Sequence, residues 1–331
     1  MSKKKRRTKR DIIEGILYAL MFFAGFVIAV YPTVSDVYGK ARDGQLMAKY
    51  SDAIDNLSED EIADQQERAQ AYNEKLAATS TYIVKSDPFE NGTATEEDEA
   101  DAEEYESLLK SSVGDVMGTL DIPSIAVSLP IYHYTNDTSL DKGVGHLYGS
   151  SLPVGGESTH SILVAHRGLP SSKLFSDLPE VQLHDKFYIN VLGETLAYEV
   201  DTIETVYPDD VDGLKIEQGK DLVTLVTCTP YSVNTYRLLV TGHRVEYNGE
   251  STTGTIVDKI KYSLDPKTVL GLGIMAFIIF VSAVNKRDGK KKNKKKKTAG
   301  AKAVDKNMTL SDESPGDKSP GESGEEIKHH E

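Results

Sequence analysis

The chain has 331 residues, with 52 acidic side chains against 38 lysines and arginines and a net charge of −14. That balance argues against a nucleic-acid-binding fold, and the single cysteine, Cys228, excludes an internal disulfide. A lone cysteine in an exported domain is either a small buried hydrophobe or a thiol kept for its reactivity.

The basic block Lys3–Arg7, with Lys9 and Arg10, precedes an apolar segment over residues 12–31, whose one charge, Glu14, lies near the inner edge where it can reach the interface. At about 20 residues this segment is long enough to cross a bilayer as a helix. No small-x-small cleavage site follows Val30, so the segment reads as an uncleaved anchor. A second uncharged apolar run, residues 268–284, is followed by Lys286, Arg287 and the lysine run 290–297. Positive charge flanks the cytoplasmic ends of spans, so the pattern predicts a two-pass protein of the cell membrane. Both termini are then cytoplasmic and the intervening region extracellular. The basic ends satisfy topology and contact membrane lipid. The residues expected to form domains are 1–11 (cytoplasmic basic end), 12–31 (transmembrane helix), 32–116 (helical region), 117–247 (β domain), 248–267 (linker), 268–284 (transmembrane helix) and 285–331 (cytoplasmic tail). The last part of that tail, 298–331, is rich in Ser, Pro, Gly, Glu and Lys and reads as disordered.

Outside the membrane, residues 35–78 are helical in composition, with few breakers and weak apolar spacing that suits one narrow packed face. The pairs Asp87-Pro88 and Asn91-Gly92 mark a loop. Residues 95–104, nearly all acidic or Ala, read as a linker or helix start that 105–109 complete as a short helix. From Met117 onward short β-like runs follow, including 126–131, 162–166, 187–191, 196–206, 222–227 and 238–245. Many short strands in one domain of this size predict an all-β barrel or sandwich.

Candidate chemistry lies in the last two runs. Leu222-Val-Thr-Leu-Val-Thr-Cys228 and Tyr236-Arg237-Leu-Leu-Val-Thr, joined by a Pro-containing loop, read as a β-hairpin that can place thiol and guanidinium side by side. A thiol beside a fixed cation is an activated nucleophile, and it needs an acid or base, usually His. The candidates are His133, His146, His160, His166, His184 and His243. His243 lies six residues beyond Arg237, about 20 Å along a strand. His184 reads as a surface turn. His166 ends the run Ile162-Leu-Val-Ala-His166 and precedes Arg167-Gly168, a position held rigidly yet opening onto a rim. No metal-ligand cluster is apparent, and no cofactor is expected.

Three blocks carry a resemblance: 143–160, with Gly143-Val-Gly-His-Leu-Tyr-Gly; Ala165-His166-Arg167-Gly168-Leu169-Pro170; and Thr224-Leu-Val-Thr-Cys228-Thr-Pro-Tyr with Arg237 nine residues after the cysteine. Together they resemble class C sortases, the pilin polymerases of Gram-positive bacteria. The resemblance implies an eight-stranded sortase β-barrel with N-terminal helices and a lid loop, flanked by two transmembrane helices. It implies His166, Cys228 and Arg237 as catalytic residues. It also implies that Asp87-Pro88-Phe89 is the lid motif, with Asp87 paired to Arg237 and Phe89 covering the cysteine. Proline disfavours helix for the residue before it, so Asp87 is expected to be extended, with Asp87 and Phe89 facing one cleft. The implied reaction is a transpeptidation without cofactor. An LPxTG-like sorting signal is cleaved between Thr and Gly, and pilin subunits are joined through a lysine isopeptide bond. A sortase that anchors surface proteins to a peptidoglycan amine shares the catalytic residues and is the alternative.

Overall fold

The computed structural model describes residues 9–78, 87–90, 99–169, 172–249 and 273. The expected second span at 268–284 lies, apart from Gly273, outside these residues, as do the tail and the basic block at the start. The chain divides into two units, Met21–Val269 and a second formed by Met1–Leu20 with Leu270–Glu331. The described part of the second unit is helical.

Helix α1 runs Lys9–Asp55 and includes Pro32. Among the described residues it is the one helix long and apolar enough to cross a membrane. The stretch 35–78, expected to be helical, is shared between two helices. A break at 56–58 separates α1 from α2, Glu59–Ala78. The cause is a capping box. Glu61 N–H donates to Ser58 Oγ at 3.2 Å, while Ser58 N–H donates to the Glu61 carboxylate at 2.9 Å. Ser58 and Glu61 thereby take up helix-end groups that would otherwise lack partners and start a new helix. A short α3, Glu99–Ser107, follows.

The narrow packed face of α2 is Ala69, Tyr72 and Asn73. Asn73 is buried and clips the helix to the loop at Leu152, donating to its carbonyl at 3.1 Å and accepting from its N–H at 2.7 Å. From α1, Tyr50 donates its hydroxyl to the Met117 carbonyl at 2.9 Å.

The strands are β1 (Val116–Ile122), β2 (Val127–His133), β3 (Val144–His146), β4 (Thr159–Val164), β5 (Lys186–Val191), β6 (Glu194–Val206), β7 (Asp221–Thr229) and β8 (Tyr236–Val245), with a short helix α4 at Asp137–Leu140. They close into a barrel in the order β1-β2-β3-β4-β7-β8-β6-β5. The pairs β2–β3 and β4–β7 are parallel and the rest antiparallel. Of the two architectures left open by the strand pattern, the molecule is the barrel. At Gly242 of β8 an added Cβ would lie 2.7 Å from the Phe187 ring and 3.0 Å from the Glu199 carbonyl, so only glycine lets those elements approach.

Strands β4, β7 and β8 are apolar on both faces because both are covered. Leu163, Leu225 and Val240 belong to the main core, whereas Ile162, Val164, Val226 and Leu239 form a second cluster with Leu140, Leu147 and Leu214. That second face carries the candidate chemistry.

Candidate active site

The three candidate residues form one row across adjacent strands. In the parallel pair β4–β7, Val164 is the register partner of Val226. The pairing continues one step further, with Ala165 N–H donating to the Val226 carbonyl at 3.1 Å and the Thr227 hydroxyl donating to the Ala165 carbonyl at 2.8 Å. The same offset sets His166 level with Cys228. On the other side of β7, Cys228 is the register partner of Arg237. Side chains alternate along a strand, so His166 follows Ile162 and Val164, and Cys228 follows Val226, onto the second cluster's face. The hairpin thus places thiol and guanidinium as its spacing predicts. The strand expected over 162–166 instead ends at Val164, leaving His166 two residues beyond it. His166 and Arg167 lead into a turn in which Gly168 has φ +86°, a conformation that ends the strand.

Residues 87–90 pack onto this row. Asp87 pairs with Arg237 through both oxygens: Arg237 Nε donates to Oδ1 at 2.9 Å, and Nη2 donates to Oδ2. The third guanidinium nitrogen, Nη1, donates to the Asn234 and Tyr236 carbonyls at 3.0 and 3.1 Å. The Phe89 ring stacks on His166 with centroids 5.7 Å apart, and the Arg237 guanidinium carbon lies 5.1 Å from the same ring centroid. The segment is not extended as expected. Glu90 N–H donates to the Asp87 carbonyl at 3.0 Å and Phe89 N–H to Asp87 Oδ1 at 3.2 Å, so an Asp-initiated turn brings Asp87 and Phe89 together. Thr135 anchors this turn, donating its hydroxyl to the Pro88 carbonyl at 2.6 Å. Nothing in the sequence singled out Thr135, because a threonine far along the chain bonding to a backbone oxygen leaves no local pattern.

Burial sets the charge state of the row. It pushes the Cys228 thiol above its ordinary value; Arg237 pulls the other way, and the Asp87 carboxylate adds to the rise. Burial pulls His166 below the usual imidazole range, against the opposing field of Asp141 and Asp137. Burial works to lower Arg237, but the bond to Asp87 and the fields of Cys228, Asp87 and Glu90 together raise it above its ordinary value. The closed arrangement therefore favours a neutral thiol and a neutral imidazole.

The other histidines have different work. His146 is fully buried between the Tyr105 hydroxyl, 2.8 Å from Nδ1, and the Ser151 carbonyl, 2.8 Å from Nε2. His133 bridges to the Leu108 carbonyl at 2.9 Å, and His160 to the Lys215 carbonyl at 2.8 Å. His184 pairs with Glu199 and His243 with Asp201 at the surface. His243 has Leu222 as its β7 register partner, at the opposite end of the hairpin from Cys228. Among the described residues no group of three or more His, Cys, Asp or Glu side chains could hold a metal ion. A cleft of about 690 Å³, lined by α1 and by strands β1, β2, β5 and β6, includes none of the candidate residues.

The sortase-domain family model matches residues 120–245, the span of the barrel that contains the whole row. Among curated relatives, Sortase A of Streptococcus agalactiae serotype III (strain NEM316) is 30% identical over 141 residues, 42% of this chain and 56% of that protein. The chain spans between 55% and 67% of the length of the curated relatives it matches. Solved structures match more fully. Sortase C-1 from Actinomyces oris is 45% identical with a TM-score of 0.51, covering 57% of this chain and 99% of that one. Streptococcus pneumoniae Sortase C, described with respect to catalysis and pilin substrate specificity, is 39% identical with a TM-score of 0.54, covering 61% and 97%.

Proposed function

The chain belongs to the sortase family of cysteine transpeptidases, with class C pilin sortases as structural neighbours, and from that premise we propose that it polymerises pilin subunits. The observation that carries this reading is the row His166–Cys228–Arg237 closed over by Asp87 and Phe89. Cys228 sulfur attacks the Thr–Gly carbonyl of an LPxTG-like signal, forming a carbon–sulfur bond as the proton passes to His166. Arg237 donates to the developing oxyanion. The tetrahedral species collapses, the carbon–nitrogen bond breaks, and the imidazolium of His166 protonates the departing glycine amine. A lysine amine of the next pilin then attacks the thioester, His166 takes its proton, and the thiolate leaves. Dividing one amide exchange into two acyl transfers is covalent catalysis and draws on no cofactor.

Arg237 cannot serve the oxyanion while Nε and Nη2 are both occupied by Asp87, so the 87–90 turn acts as a lid that substrate must displace. Displacement readmits water and removes a carboxylate, which lowers the thiol's pKa when a nucleophile is required.

The test is turnover of an LPxTG-containing peptide, with mass-spectrometric identification of the product in the presence of a lysine donor. Cys228→Ala should abolish cleavage, and Arg237→Lys should lose most of it, since lysine lacks the planar fork that holds an oxyanion. Cleavage by the Cys228→Ala protein would remove the nucleophile assignment. Transfer to a peptidoglycan amine in preference to a pilin lysine would mark a wall-anchoring sortase. The two-span topology, with an extracellular catalytic domain and both ends cytoplasmic in contact with anionic lipid, is part of the same reading. A reporter fused after residue 297 should be active only on the cytoplasmic side.

A further inference from the structure

Backbone pairing between β4 and β7 stops just before the chemistry. The last register pair is Val164 with Val226, and the last backbone bond is Ala165 N–H to the Val226 carbonyl. His166 therefore lies past the end of the ladder that aligns it with Cys228. One step later the two chains are joined again, by a side chain. Arg167 Nη1 donates to Thr229 Oγ1 at 3.0 Å, linking the residue after His166 to the residue after Cys228. The same offset that sets His166 level with Cys228 sets Arg167 level with Thr229, so this bond takes the place of the next rung.

The rest of the Arg167 side chain is fixed as well. Nε donates to the Ser176 carbonyl at 3.4 Å, and the guanidinium carbon lies 5.8 Å from the Tyr231 ring centroid, at the hairpin loop. Ser176 also accepts Gly168 N–H on its Oγ at 3.2 Å, and Phe175 N–H donates to the His166 carbonyl at 3.1 Å. One planar fork thus spans the loop carrying His166 and the loop following Cys228, and its hydrogen bonds run to neutral oxygens. A fixed fork with several donors can hold two loops in one register, whereas a flexible ammonium cannot.

We propose that Arg167 is a positioning residue: its bond to Thr229 extends the β4–β7 register past the last backbone rung and sets His166 against Cys228 for proton transfer. This rests on the reading of His166 and Cys228 as the reacting pair. A small misplacement of reacting groups lowers turnover with little effect on binding.

The test uses the full-length protein in detergent micelles, with kcat and KM for cleavage of an LPxTG-containing peptide and a thermal denaturation of each variant. Thr229→Val removes the acceptor but keeps the β-branched shape, and should lower kcat about tenfold with KM within about twofold of wild type. Thr229→Ser restores the hydroxyl and should return kcat to near wild type. Arg167→Gln, which also gives up the bond to the Ser176 carbonyl, should lose at least as much kcat as Thr229→Val, and the double variant should be no slower than Arg167→Gln, because the Thr229 bond is already lost in that variant. If Arg167→Gln does not fold, the valine and serine variants decide alone. The proposal is overturned if Thr229→Val keeps wild-type kcat, if the loss falls on KM, or if the two substitutions multiply. A Cys228→Ala control separates the readings: turnover there sinks the transpeptidase reading, whereas an inactive Cys228→Ala beside an unimpaired Thr229→Val sinks only the register bond.

Discussion

Arg237 and Asp87 are both largely buried, with side-chain exposures of 10% and 7%, and they meet across 150 residues of sequence. A pair so shielded holds its geometry because each charge would otherwise be left poorly solvated. Its effect on the neighbouring thiol is testable. Burial and Asp87 both push Cys228 upward, so the rate of alkylation by iodoacetamide should rise with pH and inflect above the ordinary thiol value. Asp87→Ala removes the carboxylate and Phe89→Ala removes packing over the row, so each should move the inflection down and raise the rate at neutral pH. An unchanged profile in the double variant would mean that this turn does not govern the thiol. At this scale Cys228 and Arg237 were legible as a hairpin pair because nine residues suffice for two strand ends and a loop. Asp87 and Phe89 were reached only through family resemblance, since no local spacing connects them with Arg237.

Among the elements, the long strands announced themselves by β-branched, apolar runs, and the β7–β8 hairpin emerged with thiol and guanidinium in register. Strand β3, Val144–His146, is too short to show a period. The break between α1 and α2 is masked by a uniformly helical composition on either side, although Ser58 and Glu61 carry the signature of a helix start. Helix α2 offers little apolar surface, so its attachment leans on Asn73, whose side chain satisfies both backbone groups of Leu152. Asn73→Ala leaves that N–H and carbonyl buried without partners, and should lower unfolding stability by about 2–4 kcal/mol. Urea denaturation followed by circular dichroism measures this. An unchanged midpoint would show that α2 is held by its apolar face and its other hydrogen bonds without Asn73.

For the whole molecule, closure of the barrel encloses histidines that the fold keeps neutral. His146 is pulled down to about 4 by burial, only partly offset by its bond to the Ser151 carbonyl. A folded-state value below the unfolded one means that its contribution to stability is present above about pH 6.5 and is lost as pH falls toward 4, because the unfolded chain binds the proton first. Over that window His146 alone should remove on the order of 3 kcal/mol. His146→Gln should flatten the dependence of unfolding free energy on pH between 7 and 5, whatever it does to stability at pH 7. An equal slope in variant and wild type would show that His146 does not drive it. The sequence by itself determined the inventory: one thiol, an arginine nine residues on, an apolar segment near the start, and β runs whose alternation dictates which side chains share a face. Those are local properties, set by covalent spacing and strand period. The strand pattern alone left barrel or sandwich open; the tertiary structure closed the barrel that the family resemblance implied, set His166 level with Cys228 across a parallel strand pair, and folded Asp87 and Phe89 over them by a turn anchored on Thr135. Contacts between residues so far apart along the chain are chosen by the free energy of the whole packed barrel, and no short stretch of residues encodes them.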